Sequence, residues 1–275
     1  MHISGGFISG TKSLREAPMA KVLTGEQTHV SRDLGNPTPY HPPSLFSHTP
    51  PLALIVAIIM GHSQVSSIYK TLDRRLSCMR LLLFSYLHPD LAMHLTGRIL
   101  YIDDAAVEMR QTPFAQEELK EVSDVADTLV SITVSETPLS VFRHELEQAD
   151  CVYVASGETF RLLHALKSTG ADQLLADAVR NGKLYAGSSA GAIIAGPSIE
   201  PATVMDDPST VPGLANYTGL NLTEYVVVPH AQGTTGPYSI DIISRTVQEY
   251  GREWNLLLLR DGQALVVDER GTVLI

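Results

Sequence analysis

The run Gly187-Ser188-Ser189-Ala190-Gly191 fits G-x-S-x-G, the spacing that sets a serine at the apex of a sharp strand-to-helix turn. A nucleophile in that place sits in a strained backbone conformation, and a side chain on either flanking glycine would crowd the strand or the helix. Ser189 is therefore the candidate nucleophile for acyl transfer. The backbone N–H of Ala190, at the helix start, is a candidate donor to a developing oxyanion. Tight packing alone also produces such pentapeptides, so the chemistry depends on partners elsewhere in the chain. Val226-Val227-Val228-Pro229-His230 leaves a histidine just past an apolar strand, where it can serve as general base. Between the two lies the loop Glu200–Pro208, which offers Asp207 or Asp206 as the carboxylate that orients the imidazole. Asp-Asp-Pro is equally an ordinary turn sequence. A third segment, Ser156-Gly157-Glu158-Thr159, joins an apolar strand to a helix, and Gly157 lets a backbone N–H approach a ligand closely. His88, His94, His144 and His164 fall in helices or near the first strand-loop junction and read as surface or packing residues.

These segments need a frame that brings strand ends together. From Met79 onward, short apolar runs alternate with helical periodicity: Arg80–Ser85, Arg98–Asp103, Leu129–Val134, Cys151–Ala155, Lys183–Ala186 and Tyr225–Pro229 read as strands. Thr112-Pro113 and Thr137-Pro138 each offer a cap followed by proline at a helix start. Helices are expected after both, and over Glu158–Lys167, Ala171–Asn181 and Tyr238–Tyr250. A closing pair of strands, Asn255–Leu259 and Ala264–Asp268, is expected to join around Asp261-Gly262. Strands that alternate with helices and are apolar on both faces predict an α/β fold, with a mostly parallel sheet covered by helices on both faces. Ligand sites in such sheets lie at the carboxyl ends of the strands, where all three segments end.

The 275 residues carry 20 Lys and Arg against 30 Asp and Glu, a formal net charge of −10. Residues 1–78 hold 7 basic and 4 acidic residues, which leaves 13 against 26 for residues 79–275. The first part also contains seven prolines, among them Pro42, Pro43, Pro50 and Pro51, and shows no sustained periodicity. It reads as a poorly structured, dispensable extension ahead of a catalytic domain at 79–275. Its apolar piece, Leu52–Met60, is about half the length that a bilayer span requires. An acidic domain without a basic stripe argues against nucleic acid as a partner. The two cysteines, Cys78 and Cys151, are not expected to form a disulfide framework, and a reducing cytoplasm is the default expectation. The sequence contains no H-E-x-x-H run, and neither a metal nor another cofactor is expected. A homodimer is compatible with an acidic α/β domain of this kind.

Taken in order and with their separations, ADCVYVASGETFRLLHAL, LYAGSSAGAIIAGPSIE and VVVPH resemble the peptidase E and cyanophycinase family of serine peptidases. The likeness runs from about Met79 to the C-terminus. It implies a class I glutamine amidotransferase-like fold, a flavodoxin-like three-layer sandwich, with serine where those amidotransferases carry cysteine. It also implies hydrolysis of short peptides, often at aspartyl bonds. On this resemblance Ser189 matches the nucleophile, His230 the base, and Gly157 and Ala190 the two oxyanion donors, while Glu158 and Thr159 are candidates for substrate contact. The chain departs from the family in three places. Ser156-Gly157-Glu158 stands where a glycine run and asparagine are usual; Glu158 either favours the helix N-terminus through the dipole or holds a substrate's free amino group. The family's acidic residue aligns with Asp207 or Asp206 only after a shift. The helix after His230 opens with Tyr238-Ser239-Ile240-Asp241-Ile242 rather than arginines. A serine esterase or thioesterase of the same fold, and a catalytically silent small-ligand binding protein, are the alternative readings. An α/β-hydrolase is disfavoured by the compact size and by the roughly forty residues from nucleophile to base.

Overall fold

The computed structural model describes residues 79–275; the expected N-terminal extension, residues 1–78, lies outside the described residues. Chain order runs β1 (Arg80–Phe84), β2 (Arg98–Ile102), α1 (Pro113–Val125), β3 (Thr128–Ile132), α2 (Leu139–Gln148), β4 (Cys151–Val154), α3 (Thr159–Thr169), α4 (Ala171–Arg180), β5 (Leu184–Ser188) and α5 (Ala190–Ile194). It continues with β6 (Tyr225–Val228), β7 (Thr234–Thr235), β8 (Tyr238–Ser239), α6 (Ile240–Tyr250), β9 (Asn255–Leu258), β10 (Ala264–Asp268) and β11 (Gly271–Leu274). Seven strands form one sheet in the order β11-β10-β1-β5-β4-β2-β3. The five from β1 to β3 are mutually parallel, and β10 and β11 add an antiparallel edge. This is the α/β architecture with a mostly parallel sheet that the alternating pattern predicts.

Side chains alternate across a strand, and β1 divides accordingly. Leu81 and Leu83 join one apolar cluster with Phe142, Phe160, Leu163, Leu175 and Ile193, contributed by α2 to α5. Leu82 and Phe84 join a second with Tyr101, Val122 and Tyr153, beneath α1. Cys151 packs in that second layer, and burial pushes its thiol up to about 12, so it is a packing residue. On α1 the buried positions are Ala115, Glu118 and Val122, at helical spacing. A fully buried carboxylate thus occupies the core-facing stripe at a point where an apolar residue would suffice for packing.

The closing strands depart from expectation. β9 does not pair with β10; it lies parallel to β6, with Val228 opposite Leu258, in a separate two-stranded sheet. β10 instead joins the main sheet between β1 and β11. β11 was not anticipated, because its four residues are all exposed and lack the buried alternation that marks a strand in sequence.

Candidate active site

The elbow is built by close approach. A Cβ on Gly187 would stand 2.5 Å from the Gly191 carbonyl oxygen, and one on Gly191 would meet the Val154 oxygen. Only glycines let strand and helix meet at that separation. Between them Ser189 adopts φ 45°, ψ −104°, a conformation costing of order 1–3 kcal/mol for a side-chain-bearing residue. The surrounding structure holds it there. The Ser189 N–H donates to the Phe84 carbonyl at the end of β1 (3.0 Å), and the Tyr185 hydroxyl donates to the Gly191 carbonyl (2.6 Å).

His230 stands two residues beyond β6 and has φ 57°. Its N–H donates to Ser85 Oγ (2.7 Å), so the turn that carries it is tied to the end of β1. The imidazole Nε2 lies 3.2 Å from Ser189 Oγ, and both residues are only 6 % exposed. The parallel pairing of β6 with β9 sends both strands out at the same end of the sheet. Three residues past β9, Asp261 Oδ1 lies 2.8 Å from His230 Nδ1. Ser85 Oγ donates to the same oxygen (2.6 Å), while Thr235 Oγ1 and Gln232 Nε2 donate to Oδ2, each at 2.6 Å. Burial pushes the Asp261 carboxyl up, but hydrogen bonds from His230, Ser85 and Thr235 outweigh it and hold the group well below the usual carboxylate range. An anion fixed there selects the imidazole tautomer with a proton on Nδ1, leaving Nε2 free to accept from Ser189.

The carboxylate at the imidazole is therefore Asp261, which corrects the expectation of Asp207 or Asp206. Asp207 is exposed and accepts from its own Ser209 N–H (2.9 Å), as an Asx turn does. Asp206 turns the other way: Oδ2 accepts from Thr159 Oγ1 (2.6 Å) and Thr159 N–H (3.2 Å), and Oδ1 from the Tyr238 hydroxyl (3.2 Å). The Tyr238 ring stacks on the His230 imidazole with centroids 4.8 Å apart. In sequence Asp261 appears only as part of the turn Arg260-Asp261-Gly262. The one local signal for it is an acidic residue just past an apolar strand.

Gly157 has φ +137°, and a Cβ there would stand 2.2 Å from the Ala105 carbonyl oxygen. Among the described residues, neither its N–H nor that of Ala190 has an acceptor. Glu158 caps α3, its carboxylate accepting from the Phe160 (3.2 Å) and Arg161 (2.5 Å) N–H groups. Beneath the same loop, Glu118 accepts from Tyr153 Oη (2.8 Å), from the Ser156 N–H (3.2 Å to either oxygen) and from Ser156 Oγ. Burial raises the Glu118 carboxyl above its usual range, and these hydrogen bonds only partly offset that.

Gly157, Glu158, Ser189, Asp206 and His230 all line one cleft of about 510 Å³. A larger depression of about 670 Å³ lies at the amino ends of β4 and β5, beside Asp150 and Lys183, with no nucleophile in it. Among the described residues no group of His, Cys, Asp and Glu could hold a metal ion, and no helix is long and apolar enough to cross a membrane. The cleft thus joins a strained serine, an imidazole in reach of it, a carboxylate hydrogen-bonded to that imidazole and two backbone N–H groups without an acceptor among the described residues. Those are the parts that nucleophilic acyl transfer requires.

Known proteins are similar to this chain in sequence and in fold. An uncharacterized peptidase of Listeria monocytogenes is 31 % identical over 175 residues, spanning 63 % of this chain and 84 % of the relative. Peptidase E of Streptomyces coelicolor is 41 % identical over 85 residues, 31 % of this chain and 33 % of its own. The 1.5 Å crystal structure of a candidate peptidase E from Listeria monocytogenes superposes with a TM-score of 0.65 at 26 % identity, covering 72 % of this chain and 98 % of that one. The model of peptidase family S51 matches residues 83–275, the described domain almost from end to end. This chain belongs to peptidase family S51 and is a serine peptidase.

Proposed function

We propose that this protein hydrolyses short peptides through an acyl-enzyme on Ser189, with His230 as general base and acid and Asp261 as the residue that orients His230. The single observation that carries the reading is the continuous chain Ser189 Oγ, His230 Nε2, His230 Nδ1, Asp261 Oδ1, with contacts of 3.2 and 2.8 Å. His230 Nε2 takes the hydroxyl proton as Ser189 Oγ attacks the scissile carbonyl carbon. The carbonyl oxygen becomes an oxyanion, and the N–H groups of Gly157 and Ala190 are the donors available to it. His230 then passes the proton to the leaving amine, the C–N bond breaks, and the Ser189 ester remains. Water enters, His230 accepts its proton, and collapse of the second tetrahedral intermediate releases the acid and restores the serine.

An aspartyl preference, implied by the resemblance, would need a cationic side chain in the cleft, and no Lys or Arg lines it among the described residues. Short-peptide hydrolysis is therefore proposed without that preference. The test is fluorophosphonate labelling of the full chain, with the adduct located by mass spectrometry, beside a dipeptide panel. An adduct on Ser189, and loss of both labelling and turnover in Ser189→Ala, are expected. Turnover at the parent level in Ser189→Ala would sink the mechanism, and cleavage of short acyl esters with no peptide turnover would favour the esterase reading.

A further inference from the structure

Seven consecutive residues, from Ala155 just past β4 to Arg161 in the first turn of α3, carry backbone N–H groups, and six of these have acceptors. The Ala155 N–H donates to the Ile102 carbonyl (3.0 Å), that of Ser156 to Glu118 (3.2 Å) and that of Glu158 to the Ala105 carbonyl (2.9 Å). The Thr159 N–H donates to Asp206, and those of Phe160 and Arg161 to Glu158. Gly157 alone has no acceptor among the described residues, and it lines the cleft. The amides on either side of it are therefore fixed, and the direction of its N–H follows from theirs.

One of the two flanking anchors is a side chain. Glu118 projects from α1, is fully buried, and does not line the cleft. Its Oε2 accepts from Ser156 Oγ and its Oε1 from the Tyr153 hydroxyl (2.8 Å), while the Ser156 N–H reaches both oxygens. The Tyr153 ring is itself held by stacking on Tyr101, with centroids 5.3 Å apart. These neutral donors offset part of the cost of burying the carboxylate. An apolar residue at 118 would avoid that cost, but it would leave the Ser156 N–H and the two hydroxyls buried without their acceptor.

We infer that Glu118 is a positioning residue for the hydrolysis: braced between Tyr153 and Ser156, it fixes the amide before Gly157 and keeps the Gly157 N–H turned into the cleft as an oxyanion donor. The inference rests on the peptidase reading of the cleft and adds to it a residue that touches no substrate. An oxyanion donor is effective because it is in place before charge develops. A donor on a loop that must first be ordered loses part of that effect. With no bond of its own, the Gly157 N–H takes its order from its neighbours, and Glu118 supplies the anchor on the β4 side.

The full chain and its Glu118→Gln variant, whose amide keeps the volume but replaces one acceptor oxygen with a donor, are compared in two assays. One is dipeptide turnover. The other is the affinity of a dipeptidyl boronic acid: Ser189 Oγ adds to boron, His230 takes the proton, and an anionic boronate forms with one oxygen at the oxyanion position. Glu118→Gln is expected to lower kcat and boronate affinity alike, by about 3- to 30-fold, part of the roughly 10²-fold that loss of an oxyanion donor costs. KM, and binding of uncleaved dipeptide in a Ser189→Ala background, should stay within about twofold of the parent. A carboxylate that only stabilised the fold would not produce this split. Ser156→Ala, which removes one of the two Ser156 links, should lose about threefold by itself and little more when combined with Glu118→Gln. Parent kcat and boronate affinity in Glu118→Gln, a loss confined to KM, or losses that multiply fully in the double variant would overturn the inference. If Glu118→Gln does not fold, Ser156→Ala decides alone: parent values there overturn the inference, and the threefold loss upholds it. Turnover of short acyl esters without dipeptides sinks the peptidase reading, yet the same losses measured on the ester uphold the role of Glu118. Parent-level dipeptide turnover in Glu118→Gln does the reverse.

Discussion

Asp261→Asn separates an orienting carboxylate from a structural one, because the surrounding donors decide how the new amide must lie. Gln232 is pinned: its Oε1 accepts from the Asp261 N–H (3.0 Å), which aims its Nε2 at Asp261 Oδ2 (2.6 Å). An amide nitrogen placed on that side would face another N–H group, so the asparagine oxygen takes the Oδ2 position and the NH2 group takes the Oδ1 position. There it faces Ser85 Oγ, which can accept, and His230 Nδ1. Nδ1 must then accept, the ring proton moves to Nε2, and Nε2 points a hydrogen at Ser189 where a lone pair is needed. The same tautomer error in the serine-protease triad lowers kcat about 10⁴-fold, or about 5.5 kcal/mol of barrier at 1.36 kcal/mol per decade. Steady-state kinetics on a dipeptide substrate should show that loss almost wholly in kcat, with the thermal midpoint little changed. Asp207→Ala, made beside it, should leave kcat at the parent value. If Asp261→Asn keeps kcat within about tenfold of the parent, or if Asp207→Ala shows the larger loss, the tautomer argument is refuted.

Glu118→Gln should lower kcat by roughly 3- to 30-fold through the Ser156-Gly157 loop, about 0.7–2 kcal/mol of barrier, with KM little altered. It should also change the pH dependence of stability. The Glu118 carboxyl is raised in the folded state above its unfolded value, so its contribution is fully present below about pH 4 and is lost as pH rises through the folded value. The stability of Glu118→Gln relative to the parent should therefore improve with pH above about 4, by up to about 1.4 kcal/mol per unit while the group titrates. Urea unfolding at several pH values reads it, and a pH-independent difference would refute the shift. Gly157→Ala must move the loop away from the Ala105 carbonyl and displace an oxyanion donor. Its kcat should fall about 10²- to 10³-fold, and retention of parent kcat would remove Gly157 from the mechanism. A chain of residues 79–275 is proposed to fold and to hydrolyse the same dipeptides as the full chain; insolubility or loss of turnover would show that residues 1–78 contribute to the working protein.

The elbow was legible because its constraints are local. A tight strand-to-helix turn demands small residues at fixed offsets, and Gly187 and Gly191 report that demand whatever surrounds them. The parallel sheet was legible for a similar reason: β1, β4 and β5 are buried on both faces, and their apolar runs carry no alternation to obscure the reading. His230 was found as the residue just past such a strand. Gly157 and Ala190 follow from the same rule, since strand ends and helix starts are where free N–H groups accumulate.

Which carboxylate serves His230 was a different kind of question. Asp206 and Asp207 lie between nucleophile and base in the chain, and chain order favours them. Asp261 wins because β9 adds in parallel beside β6, so that two segments about thirty residues apart leave the sheet side by side. Strand partnership depends on non-local hydrogen bonds and on packing against the rest of the core, and no local pattern in 255–261 records it. The separation of Glu158 from Asp206 was decided in the same way: one carboxylate meets its own helix N-terminus, and the other meets only neutral hydroxyl and amide donors. The sequence determined which residues could react, because that depends on residue type and turn geometry. The tertiary structure decided which of several like charges stands beside each, because that depends on distances between segments the chain brings together only on folding.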